Sequence, residues 1–170
     1  MDTQDNKKLS VYLSSRIRQH TLDKNKAIGE LLERDGDIKI FLPHTISPPE
    51  HHEKIQEDIY RKCVDEINNA EILLLLADSY GIDCSWEVGY AKGMHKLIIA
   101  VIETEDGLKR LAEDWMVKGS VDAVLITNNE LYKTASKDVM LQNKKLLMVE
   151  YQKLPKVFRS LVRGGSNVPK

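Results

Sequence analysis

A chain of 170 residues, 42% apolar and 30% charged, has the size and composition of one folded domain, which excludes intrinsic disorder. Its 25 Lys and Arg nearly cancel 26 Asp and Glu, so no global field draws it to nucleic acid or an anionic membrane. The longest apolar run, Ile72 to Ala77, is too short to span a bilayer, and Asp2 to Asn6 lacks the apolar core of a secretory signal. Two cysteines, Cys63 and Cys84, make neither a disulfide framework nor a zinc site, and the expected location is cytoplasmic.

In chain order, Ser10 to Leu13 predicts a short strand, followed by a helical stretch around Leu22, Ile28, Leu31 and Leu32 that Gly36 stops. Ile38 to Leu42 predicts a second strand, and Pro43 to Glu50 a loop ending at a helix start. From Glu50 to Asn69, Ile55, Ile59 and Ile67 fall near one helical face. Ile72 to Leu76 is apolar on both faces, as a strand covered on two sides must be. A helix from about Ser85 to Met94, a strand from Lys96 to Ile102, a helix near Leu108 to Val117 and a strand from Val121 to Ile126 continue the rhythm. Leu141 to Tyr151 predicts a helix, and Pro155 opens a last short one.

This alternation predicts a single-domain α/β fold with a central parallel five-stranded sheet flanked by helices, Rossmann or flavodoxin-like. The domain is expected over residues 9–163, with 1–8 and 164–170 as flexible ends. Open parallel sheets bind ligands beyond the carboxyl ends of their strands. The segments gathered there are residues 14–21, 43–49, 77–87 and 103–107.

The loop from Ala77 through Asp78, Gly81 and Asp83 leads from the central strand into a helix with Glu87 in its predicted first turn. An ionised carboxylate over a ligand crevice can attack, or electrostatically support, a sugar carbon with oxocarbenium character. The alternative is that Glu87 complements the helix dipole while Asp83 caps the helix. Trp86 is read as core rather than as a wall for a base. Ser14-Ser15-Arg16-Ile17-Arg18 follows the first strand with hydroxyls, backbone N–H groups and a guanidinium suited to a phosphate, although two arginines in a loop also suit plain solvation. Neither G-x-G-x-x-G nor a Walker A lysine occurs. His44, at the end of the second strand, is a candidate ligand contact or a packing residue. His51 and His52 lack a third ligand at metal spacing, so no metal is expected, and Cys84 has no base beside it.

Asp78-Ser79 with Gly81, followed by Glu87-Val88-Gly89-Tyr90-Ala91, Gly93 and Lys96-Leu97-Ile98-Ile99, resembles the nucleoside 2-deoxyribosyltransferase family, a group that includes nucleoside 5′-monophosphate N-glycosidases. The resemblance runs from Val11 to Ile126 and implies scission of an N-glycosidic bond without metal or organic cofactor. It implies that Glu87 attacks the anomeric carbon, that Tyr12 positions it, and that Arg18 with Ser14 holds a 5′-phosphate. Asp65 resembles part of the family's acidic helix, and Asp78, Gly81 and Asp83 fall on the substrate side. Ser120 resembles a serine lent by a neighbouring subunit, so a homodimer or higher homo-oligomer is implied, with a nucleotide or nucleoside as small-molecule partner. Two positions depart from the pattern: the family's helix aspartate falls on Cys63, and the acid or serine six residues before the glutamate is Gly81. Competing readings are a Toll/interleukin-receptor-like NADase and a non-catalytic nucleotide-binding module.

Overall fold

The structure, a computed structural model, describes residues 8–46 and 53–162. The expected flexible ends (apart from Lys8), and residues 47–52 with His51 and His52, lie outside the described residues. The chain runs β1 (Leu9–Ser14), α1 (Gln19–Glu33), β2 (Ile38–Phe41), α2 (Glu53–Asn69), β3 (Ile72–Leu76), α3 (Ile82–Gly93) and β4 (Leu97–Ile102). It continues through α4 (Glu105–Glu113), α5 (Trp115–Ser120), β5 (Ala123–Ile126), α6 (Asn129–Ala135), α7 (Val139–Gln142), β6 (Lys145–Met148) and α8 (Leu154–Val162).

All strand pairings are parallel, in the order β2-β1-β3-β4-β5-β6. Alternate residues of each strand feed opposite faces, as the two-residue period of a strand requires. Leu73 and Leu75 join Tyr12, Ile67, Val88, Leu111 and Val117 in one core, whereas Ile72, Leu74 and Leu76 join Ile28, Leu32, Val157 and Phe158 in the other. A buried side chain of this kind contributes roughly 1.5–3 kcal/mol. From β1 the chain goes outward to β2, then crosses back to β3 on the other side of β1. The carboxyl ends of β1 and β3 therefore form the topological switch point.

Three local expectations are corrected. The sheet has six strands, not five, because the predicted helix from Leu141 to Tyr151 divides into the one-turn α7 and the edge strand β6. Leu146 and Leu147 pack on opposite faces of the sheet, the signature of a strand, although among polar neighbours their spacing from Leu141 mimics a helical stripe. The predicted helix from Leu108 to Val117 is broken at Asp114, whose side chain accepts a hydrogen bond from the Val117 N–H and starts α5. Helix α3 begins at Ile82, with Gly81 as its N-cap, so Glu87 lies a turn further in than expected and Asp83 is a first-turn acid, not the cap.

Candidate active site at the switch point

Glu87 projects from α3 toward the carboxyl end of β1. Its Oε1 accepts a hydrogen bond from the Tyr12 hydroxyl at 2.6 Å, and its Oε2 accepts one from Ser14 Oγ at 2.6 Å. Tyr12 and Ser14 share a face because they are two residues apart on one strand. Burial pushes the Glu87 carboxyl above its usual 4.5; the Ser14 and Tyr12 hydroxyls pull against that shift, and Asp83 adds to it. The side chain is not in bulk water, it forms no salt bridge among the described residues, and the dipole-complementing role does not describe it.

Behind Tyr12, Phe41 stacks at 5.6 Å and 23°. Phe41 also lines a cleft of about 470 Å³ with Lys39, Thr45, Ile46, Lys62 and Glu66. That volume falls in the range of small-molecule sites, roughly 300–1,000 Å³. Neither Glu87 nor Tyr12 lines the cleft; Phe41, stacked on Tyr12, is what joins it to Glu87, and Lys62 and Glu66 bound it on the α2 side.

On α2, Cys63 is turned toward the site, packed against the core that holds Tyr12. The pKa of its thiol is raised, by burial first and then by Glu87 and Glu66, against the pull of the Tyr12 hydroxyl. Burial first, then Glu87 and Cys63, hold the Tyr12 phenol protonated at any ordinary pH. Asp65, two residues along the helix, is exposed, so it does not meet Glu87. Cys84 is buried and its thiol is pushed up by that burial, which leaves it a poor nucleophile.

The remaining candidates divide by what they touch. Ser15 pairs with Ser79 through their hydroxyls at 2.8 Å, bridging the ends of β1 and β3. Ser14, expected at a phosphate, donates to the Glu87 carboxylate. Arg18 is exposed at the N-cap of α1, where its backbone bonds reciprocally with Thr21. Asp78 faces inward: Lys24 Nζ (2.9 Å), Thr104 Oγ1 (2.7 Å) and the N–H groups of Glu103 and Thr104 all donate to it. It clamps the loops after β3 and β4 to α1, a role the sequence reading does not contain.

His44 lies in a 3-10 turn after β2, with neither ring nitrogen hydrogen-bonded among the described residues. Burial, then Lys26, lowers its pKa and favours the neutral imidazole. Asp83 is exposed, and Ser120 is half-buried on α5, donating to the Met116 carbonyl at 2.8 Å. Trp86, expected in the core, is 46% exposed and stacks on Tyr90, because the half of α3 that carries it faces away from the sheet. Arg16, the other arginine of the segment after β1, is exposed, and its side chain lies across Gly81. Among the described residues no cluster of His, Cys, Asp and Glu is arranged to hold a metal, and no helix is long and apolar enough to cross a membrane.

A carboxylate held by two hydroxyls at the switch point of a parallel sheet defines a class of α/β proteins built to act on a small polar molecule. The chain belongs to the nucleoside 2-deoxyribosyltransferase family, whose model matches residues 11–149. It is accordingly an enzyme of glycosyl transfer or hydrolysis on nucleoside-related substrates. No curated protein matches the chain. Among solved structures, the 2-deoxyribosyltransferase from Bacillus psychrosaccharolyticus is similar at 16% identity and a TM-score of 0.52, covering 68% of this chain and 84% of that one. A conserved protein from Enterococcus faecalis V583 is similar at 14% identity and a TM-score of 0.55, covering 91% and 99%. At these identities the likeness is one of fold.

Proposed function

We propose that the protein cleaves the N-glycosidic bond of a nucleoside 5′-monophosphate, giving free base and sugar phosphate. The observation that carries the reading is the Glu87 carboxylate, desolvated yet held by Tyr12 and Ser14 in one orientation. Glu87 attacks the anomeric carbon as the bond to the base breaks, the bonding pair leaves with the base, and water then hydrolyses the glycosyl ester. Two hydroxyl donors keep the nucleophile aimed, and Phe41 and the adjoining cleft offer an apolar wall and room for a base. Ser15, Ser79 and Arg16 supply the polar rim for the phosphate.

Transfer between free nucleosides is the second reading, favoured by the family match itself. Incubation with a panel of nucleoside 5′-monophosphates tests the first: free base is expected without an acceptor. Turnover of unphosphorylated nucleosides only when an acceptor base is supplied establishes the second, and nicotinamide release from NAD overturns both.

Tyr12→Phe is expected to lower kcat by about 10²-fold, the scale of one lost oxyanion donor. Because the Tyr12 hydrogen bond favours the ionised Glu87, its loss also moves the acidic limb of the pH–rate profile to higher pH. An unmoved limb would show that Tyr12 does not govern the carboxylate.

A homo-oligomer fits this reading. Trp115 (75% exposed) and Met116 (82%) stand on α5 beside Ser120, and Ile82 (88%) stands on the neighbouring α3. Large apolar side chains exposed on two neighbouring helices suit an association face. Trp115→Glu combined with Ile82→Glu is expected to convert a dimer or larger assembly to monomer in analytical ultracentrifugation. A cytoplasmic location agrees with two unpaired cysteines.

A further inference from the structure

Hydrolysis of a glycosyl ester needs a base to take a proton from water, and the groups that surround Glu87 do not supply one. Burial first, then Glu87 and Cys63, keep the Tyr12 phenol protonated, and burial raises the thiols of Cys63 and Cys84. Ser14 is a hydroxyl whose hydrogen already goes to Glu87 Oε2. Each of these groups keeps its proton at neutral pH.

Asp83 is different. It lies four residues before Glu87 on α3, so the two side chains leave one face of the helix, with Cβ atoms about 5–6 Å apart. Helix α3 starts at the carboxyl end of β3, so Asp83 stands at the rim of the sheet and Glu87 roughly 6 Å further down the axis. Helical side chains lean toward the N-terminus, which tips the Glu87 carboxyl toward the turn that carries Asp83. The two groups feel each other: the charge of Asp83 adds to the rise that burial imposes on the Glu87 carboxyl. Asp83 is exposed, and among the described residues no hydrogen bond or ion pair holds its carboxylate. Two-step glycosyl hydrolysis uses such a pair, a held nucleophile and an open partner with carboxyl groups about 5–5.5 Å apart.

We propose that Asp83 is the general base of the hydrolytic step, taking a proton from the water that attacks the glycosyl–Glu87 ester. The water oxygen bonds to the anomeric carbon as one of its protons passes to an Asp83 oxygen. The bond from that carbon to Glu87 breaks, and its electron pair returns to the carboxylate. The proton then leaves Asp83 for the solvent to which its side chain is open. This inference rests on the N-glycosidase reading of the same site and gives its second step a catalytic residue.

In Asp83→Ala, base release from a nucleoside 5′-monophosphate is expected to begin with a burst of about one equivalent per active site. It then runs about 10²–10⁴-fold slower than in the wild type, the worth of a general base. Because the base departs before the step that is lost, kcat and KM fall together and kcat/KM is largely kept. Intact-mass measurement is expected to find the sugar phosphate on Asp83→Ala protein and not on Glu87→Gln protein. Azide, an anion that needs no base, is expected to restore turnover as the glycosyl azide. Thermal melting checks the fold, and Asp83→Asn, which keeps the side-chain shape, is expected to behave as Asp83→Ala does. Steady base release at the wild-type rate in Asp83→Ala, or a fall in kcat/KM as large as that in kcat with no adduct, overturns the role of Asp83. A wild-type protein that releases no base from any 5′-monophosphate, or only with an acceptor base, overturns the N-glycosidase reading itself and the inference with it.

Discussion

Glu87→Gln is expected to reduce base release from nucleoside 5′-monophosphates by at least about 10³-fold, because an amide cannot attack the anomeric carbon. The same substitution is expected to leave the fold as stable or more so at neutral pH. Burial raises the folded-state pKa of Glu87 above its usual 4.5. Between 4.5 and the raised value the folded protein holds more protons than the unfolded chain, so stability falls as pH rises through that window. Above the window the buried anion opposes folding, and glutamine removes that opposition; below pH 4.5 the advantage of glutamine vanishes. Single-turnover base release and calorimetric melting from pH 4 to 8 measure the two halves. Retained turnover in the glutamine variant would remove Glu87 from the reaction.

The second large effect falls on stability. Asp78→Ala takes the shared acceptor from Lys24, Thr104 Oγ1 and two backbone N–H groups while they remain beneath a side chain only 9% exposed. Breaking a largely buried charged cluster on one side costs about 3–5 kcal/mol. For a domain of this size that corresponds to a fall in Tm of about 6–20 °C. Gly107→Ala attacks the same clamp from the opposite side, since a methyl there would stand 2.0 Å from Asp78 Oδ1. Its melting temperature is expected to fall as well, by the overpacking cost of about 1–3 kcal/mol. An Asp78→Ala protein that melts with the wild type would show that the loops after β3 and β4 are held by other contacts.

The parallel sheet was legible because Ile72 to Leu76 is apolar on both faces and because strands and helices alternate around it. The sixth strand was not: β6 is a half-exposed edge strand of four residues, and in so short a segment helical and strand periods coincide. At the site, the Glu87-Val88-Gly89-Tyr90-Ala91 motif directed attention to the residue that Tyr12 and Ser14 hold. Asp65 was drawn in by its charge, yet helix phase turns Cys63 to Tyr12 and leaves Asp65 in solvent. Asp78 looked like a ligand contact because an acid in a rim loop carries the same letter whether it faces substrate or protein. Its partners, Lys24, Glu103 and Thr104, are brought to it only by the crossing of the chain. The same holds for Arg16 and Gly81, which lie far apart in sequence and touch through the switch point.

Helix α8 carries Leu154, Val157 and Phe158 into the core beneath α1, and Arg159 reaches Asp35 and Asp37 at the end of the first helix–strand connection. It lies beyond the matched residues 11–149. Helix α1 therefore waits for a helix that is synthesised well after it. At ribosomal rates Ile28 and Leu32 lack the part of their cover that α8 supplies for on the order of 10 s, an interval in which a nascent chain is open to chaperone capture.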